Sequence, residues 1–210
     1  MIVPLIPVSS DRDGLLSCGR LSFKGSVPEI VGPTEDYLKR TGAMGSSAED
    51  KQPVVIMDVK GLRRGNMDNV LLKNLKIRGS KIWFMTQIET ADDVLDAFNT
   101  DADAVLMPFG TVLDAYEMGS IMEMSDSVIP VIIVSKRRTD SYLGRTEVLS
   151  ALRELERFGY RRSIVMDTDG GFELRDWNEL SGYDIIPYSE RIGDEGFSSV
   201  GFDAVLRCLP

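Results

Sequence analysis

Two aspartates stand out by position. Asp58 ends the apolar run at residues 54–61 (VVIMDVKG), and Asp167 ends its near twin at residues 163–171 (SIVMDTDGG), about half a chain later. Each run reads as a buried strand that passes abruptly into a carboxylate and then into turn residues. Two carboxylates at strand ends can form an acid–base pair when burial splits their pKa values. They can also hold a divalent cation through oxygen, or cap the loops that follow and balance nearby cations. The chain contains no histidine. A Ser-His-Asp or Cys-His triad within it is therefore excluded, as is His-ligated zinc. Proton transfer would fall to Asp, Glu, Lys, Tyr or Cys.

Other polar residues follow the apolar runs: Lys60, Gln87, Ser135, Lys136, Arg137, Asp169, Glu190 and Arg191. The run Lys136-Arg137-Arg138 fits an anion clamp, since guanidinium forks match phosphate or carboxylate; it also reads as a solvated loop. The stretch Asp167–Gly171 reads as a turn or as oxygen ligands for a metal. No metal is assigned, and no cofactor is singled out. Tyr116, Met118, Met122 and Met124 read as core filler or as a soft partner face.

The elements that position these residues show an internal match. Residues 3–9 resemble 129–135, residues 79–93 resemble 182–196, and DAVL at 103–106 recurs at 203–206. With the two aspartate runs, the pairs keep one order in both halves, which argues for a duplication of about 100 residues. Eight strands are expected, at 2–9, 53–59, 81–85, 104–107, 128–134, 163–166, 184–187 and 204–209. Helices are expected at 34–41, 67–77 (with Val70, Leu71 and Leu75 on one face), after Thr90, at 112–124, 147–158 and 173–180, with one turn at 197–200. Thr90 and Asp93 form a capping box, Thr146 caps the helix at 147–158, and Gly159 ends it. Residues 11–32 form a long excursion with a hairpin around 15–23; 44–52 and the basic stretch 60–65 read as loop and turn.

Strands alternating with helices imply a parallel sheet. Two similar halves favour a closed (β/α)8 TIM barrel, one domain over 1–210 with half-barrels at 1–126 and 127–210, shortened at its last βα units. A doubly wound sheet is the alternative. With so little helix after strand seven and none after strand eight, Phe197, Phe202 and the last strands would meet water, which predicts a homodimer.

Composition narrows the partners. The 210 residues are 43% hydrophobic, enough for a sizeable core, and carry 24 basic against 33 acidic side chains, a net charge of −9. That argues against nucleic acid as the main partner, because phosphate binding needs a basic face. No apolar run is long enough to span a membrane, and the first strand begins at Ile2 without a basic leader. Cys18 and Cys208 have no metal-ligand spacing. A cytoplasmic protein acting on a small anionic metabolite is expected.

At the strand ends the chain resembles a known family. Met57-Asp58 with Gly65-Asn66, residues 88–94 (IETADDV), Gly110-Thr111 and residues 165–169 (VMDTD) are similar to the histidine-biosynthesis barrels, ProFAR isomerase and its cyclase relative. They are closer still to the ProFAR-isomerase-related, HisA-like branch of methanogens and methylotrophs. The resemblance covers residues 2–209. It implies a duplicated half-barrel and isomerase- or lyase-type chemistry on a small anionic, phosphorylated metabolite, in histidine-related or one-carbon cofactor biosynthesis. Asp58 and Asp167 would be the acid–base candidates, and Lys136 and Arg137 would bind the anion. The family's own catalytic aspartates fall on Pro7 and Ile133, or two residues on at Ser9 and Ser135, and its glycine turns read Thr86-Gln87 and Ser189-Glu190. The alternative is a catalytically inactive barrel serving as a binding or subunit protein.

Overall fold

A computed structural model describes residues 1–34, 53–74 and 81–208. Among these residues twelve strands form one mixed sheet. Eight of them run parallel, in the spatial order β12 (Val205–Cys208), β1 (Ile2–Ser10), β4 (Pro53–Asp58), β5 (Lys81–Met85), β6 (Ala104–Pro108), β7 (Val128–Ser135), β10 (Arg162–Asp167) and β11 (Asp184–Ser189). The other four are antiparallel. The hairpin β2 (Leu16–Lys24) and β3 (Val27–Thr34) continues from β1, and β8 (Arg138–Ser141) with β9 (Gly144–Glu147) continues from β7.

This overturns the expected alternating (β/α)8 barrel. Two antiparallel ribbons extend the sheet, and no ladder joins β11 to β12 among the described residues. A side chain spans that seam instead. Arg207 on β12 donates to the carbonyls of Ser189 (2.5 Å) and Ile192 (2.6 Å) and to the Asp194 carboxylate (2.6 Å). The ribbon β8–β9 escaped the sequence reading because RTDS and GRTE contain no apolar residue to mark a strand.

The two faces of the parallel strands carry separate cores. On one face Val3, Leu5, Val55, Met57, Met85, Leu106, Val131, Ile164, Met166, Ile186, Tyr188 and Leu206 form a single cluster. On the other, Ile56, Phe84, Val105, Ile132, Val165 and Val205 pack with the helices. The hairpin joins the first cluster: Leu21 is buried in it, with Phe23 and Ile30 packed against it.

Seven helices lie among the described residues. The short α1 (Val59–Arg64) replaces the expected basic turn, and α2 (Asn69–Asn74) begins two residues later than the helix expected from 67, whose last residues fall outside the described ones. α3 (Ala91–Phe98) begins with the expected capping box, Asp93 accepting from the Thr90 amide at 2.9 Å. α4 (Ala115–Met124) and α5 (Val148–Phe158) follow; Glu147, not Thr146, is the N-cap of α5, and Gly159 ends it in the left-handed region. α6 (Leu174–Leu180) and α7 (Asp194–Ser199) complete the set. α7 corrects a second expectation: Phe197 and Phe202 are 0% and 7% exposed, packed edge-on with Trp177. The surface that predicted the homodimer is therefore covered. Most of the expected helix at 34–41, the segment 44–52, Leu75 and Leu209 fall outside the described residues, and Thr34 ends β3. No helix among the described residues is long and apolar enough to cross a membrane.

Candidate functional site

Strand parity decides where Asp58 and Asp167 point. On β4, Val55 and Met57 face the inner cluster and Ile56 faces the helices, so Asp58 falls on the helix side. On β10, Val165 faces the helices, and Asp167 follows it. Both aspartates are essentially unexposed. Asp58 accepts from the Gly61 amide (2.8 Å), the Asp68 amide (2.9 Å) and the Thr86 hydroxyl (2.8 Å). Asp167 accepts from the Gly171 amide (3.0 Å), the Phe172 amide (3.2 Å) and the Ser189 hydroxyl (3.2 Å). Burial raises both carboxyls above the ordinary value, against the lowering effect of these hydrogen bonds. Each aspartate thus ties its own loop to the end of the next strand.

The loop that Asp58 holds carries a second carboxylate, and with it a cation. Asp68 is buried at the end of this loop. Its Oδ2 accepts from the Ser10 hydroxyl at 2.5 Å and lies 3.2 Å from the Lys60 ammonium, which also donates to Ser10 at 2.7 Å. Burial pushes the Asp68 carboxyl up, but the hydrogen bonds from Ser10 and Lys60 prevail, and it sits below its ordinary value. Ser10, Lys60 and Asp68 therefore form a closed ring of contacts.

This ring borders a cleft of about 410 Å³, lined by Ser9, Ser10, Ser17, Ile30, Val59, Lys60, Arg63 and Arg64. Three cations and three hydroxyls meet there, with no carboxylate in the lining. Of these residues only Lys60 was singled out from sequence. Arg63 and Arg64 are exposed residues in the last turn of α1. That helix was missed because VKGLRR carries a glycine and too little apolar periodicity, and nothing in the sequence marks Asp68 as the partner of Ser10. Thr86 and Ser189 were findable, because they occupy matching positions in the repeated segments 79–93 and 182–196.

The remaining candidates do not converge on one point. Lys136 and Arg137 are the two turn residues of the β7–β8 hairpin, with φ of 51° and 63°. The Lys136 amide donates to Asp169 at 2.6 Å. The Arg137 guanidinium pairs with Asp176 and lies over the Phe172 ring, 5.7 Å from its centroid. Gln87 donates to Glu89 (3.1 Å), Glu190 accepts from Tyr188 (3.3 Å), and Arg191 reaches the Gly170 carbonyl (3.1 Å). The Ser135 carbonyl accepts from Arg145 at 2.8 Å. The β2–β3 hairpin reaches across these strand ends. The Gly25 carbonyl accepts from Thr168 at 3.0 Å, and Ser26 lies 3.4 Å from Asp140. The space left beneath its tip, bordered by Leu62, Pro108, Ile133 and Asp140, is about 140 Å³. Among the described residues, no three Cys, Asp or Glu side chains converge as metal ligands.

No protein-family model and no curated protein matches this chain. The likeness to the ProFAR isomerase family rests on the residues quoted above alone.

Proposed function

We propose that the protein binds a small anionic ligand, bearing phosphate or carboxylate, in the cleft between the end of β1 and α1. One observation carries this: Lys60, Arg63 and Arg64 line a single cleft with three serine hydroxyls, in a chain of net charge −9. Lys60 is held in place by Ser10 and Asp68, so it meets a ligand with little side-chain entropy left to lose. Arginine forks at the rim suit two-point recognition of an anion.

Binding fits this geometry better than acid–base turnover by Asp58 and Asp167. A general base must reach its substrate's proton directly or through one water. Both carboxylates already accept three hydrogen bonds each, on the side of the sheet away from the inner face. The hairpin across the strand ends also favours the binding reading. Calorimetric titration with inorganic phosphate, small phosphosugars and dicarboxylates tests it. Binding that is lost in Arg63→Ala/Arg64→Ala supports the cleft; unchanged binding in that variant, or none in the wild type, refutes it.

A further inference from the structure

The space beneath the tip of the β2–β3 hairpin has a chemistry unlike that of the Lys60 cleft, and no residue lines both. It lies at the C-terminal ends of β6 and β7, where parallel sheets take their ligands. Leu62, Pro108 and Ile133 give it one apolar side, and Val27 and Pro28 of the hairpin give it the other. Val27 is an apolar side chain left 43% exposed there. Gly110 closes one wall. A Cβ at that position would lie 3.0 Å from the Asp140 carbonyl oxygen, so glycine lets the loop after β6 abut the β8–β9 ribbon this closely.

The polar side chains of the lining are Ser26, Thr111, Thr139 and Asp140. Each hydroxyl already donates to a protein oxygen. Thr111 donates to the Ile88 and Pro108 carbonyls (2.6 and 2.8 Å), Thr139 to the Asp140 carbonyl (3.3 Å) and Ser26 to the Asp140 carboxylate (3.4 Å). These side chains are left with lone pairs and one negative charge to offer a ligand. No basic residue lines the space. Arg145, opposite Asp140 in the ribbon, donates to the Ser135 carbonyl at 2.8 Å.

We infer that this space binds a small apolar amine, with its hydrocarbon body against Leu62, Pro108 and Ile133 and its ammonium on Asp140. The volume of about 140 Å³ suits such a body, since an apolar cavity of about 150 Å³ holds a benzene ring. Asp140 is exposed, so the ammonium keeps part of its hydration at the rim while the body leaves water. Its charge-assisted hydrogen bond is stronger than the long contact from Ser26 that it displaces. An anion would meet only lone pairs and a like charge, and an alcohol would forgo the ion pair. The inference is independent of the anion cleft at Lys60.

Titration of the isotope-labelled protein with benzylamine, benzyl alcohol and benzoate, followed by backbone amide shifts, tests it. Benzylamine should bind most tightly and benzoate least, with shifts at Val27, Thr111 and Thr139. Asp140→Asn changes an exposed side chain, so its thermal midpoint should match the wild type. It should bind benzylamine about fivefold more weakly, and the advantage of the amine over the alcohol should vanish. Ile133→Phe fills the space from a half-buried position and should weaken amine and alcohol alike; Asp140→Asn decides even if that variant does not fold. Benzoate bound as tightly as benzylamine overturns the inference. So does an amine preference that survives in Asp140→Asn, unchanged amine binding in a folded Ile133→Phe, or an absence of shifts at these amides.

Discussion

Asp58 and Asp167 make the same three kinds of hydrogen bond from equivalent places. Each ends a parallel strand, accepts from two loop amides, and accepts from a hydroxyl at the end of the next strand of its half, Thr86 just past β5 or Ser189 on β11. The internal match therefore extends from sequence to a shared way of closing a strand-to-helix loop.

Removing Asp58 leaves three buried donors without an acceptor, whereas without Asp167 the Gly171 amide still has Asp169 at 3.3 Å; Asp58→Ala should therefore cost about 3 kcal/mol, Asp167→Ala about 2 kcal/mol, and Thr86→Val or Ser189→Ala about 1 kcal/mol. Urea unfolding at neutral pH measures both. Full stability in either alanine variant would show that these aspartates are not the latches described.

Asp68 acts on the anion cleft through Lys60 and Ser10. Asp68→Asn should leave the fold intact while loosening the Lys60 ammonium, weakening phosphate binding by about tenfold, or ~1.4 kcal/mol. Lys60→Ala should cost at least as much. If Asp68→Asn binds phosphate as tightly as the wild type, the ring of contacts does not position Lys60 for binding.

The same carboxylates predict opposite pH dependences. Asp68 has a folded pKa below its reference of 3.8. Its contribution to stability is complete above that reference and is lost as pH falls through the folded value. Asp58 and Asp167 are raised above 3.8. Their protonated forms favour the fold, and stability is lost as pH climbs from the reference through their folded values. Against the wild type, the deficit of Asp68→Asn should therefore shrink on acidification. The deficit of Asp167→Asn should shrink as pH rises through the raised pKa. Urea midpoints across the acid range decide; parallel curves for all three proteins would contradict both assignments.

The eight parallel strands were legible in the sequence because strands covered on both faces are continuous Val/Ile runs. That same continuity hid the direction of Asp58. Val54 to Met57 are all apolar, so no alternation records which face the next residue takes. As strand-end carboxylates Asp58 and Asp167 are open to an acid–base or cation-binding role, and one step of parity turns them toward the helices. The β8–β9 ribbon was invisible for the opposite reason, being polar throughout. The seam between β11 and β12 depends on one long side chain, Arg207, whose reach has no periodic signature.

The turn at Lys136-Arg137 holds two side-chain-bearing residues in the left-handed region. Two-residue hairpins of this kind favour Asn-Gly, because that backbone costs other residues roughly 1 kcal/mol each. Arg137 gains compensation from Asp176 and Phe172, whereas Lys136 contributes only its amide, which donates to Asp169. Lys136→Asn keeps that amide and should stabilise the protein by about 0.5–1 kcal/mol. An unchanged or lower thermal midpoint would mean that the lysine side chain has a stabilising contact of its own.

Arg207 closes the seam that the backbone leaves open. Its guanidinium satisfies two carbonyls and one carboxylate at 2.5–2.6 Å and lies 5.4 Å from the centre of the Phe197 ring. Its side chain is only 21% exposed. Lysine cannot reproduce this fork, since a single ammonium cannot reach three divergent acceptors in a plane. Arg207→Lys should cost about 2 kcal/mol, and Arg207→Met at least as much, with the carbonyls of Ser189 and Ile192 left short of donors. The loss should also be local before it is global. Amide exchange in β12 and α7 should quicken in Arg207→Lys while β5 and β6, far from the seam in strand order, keep their protection. Uniform loss of protection across all parallel strands would instead place Arg207 in the global folding unit and rule out a local seam.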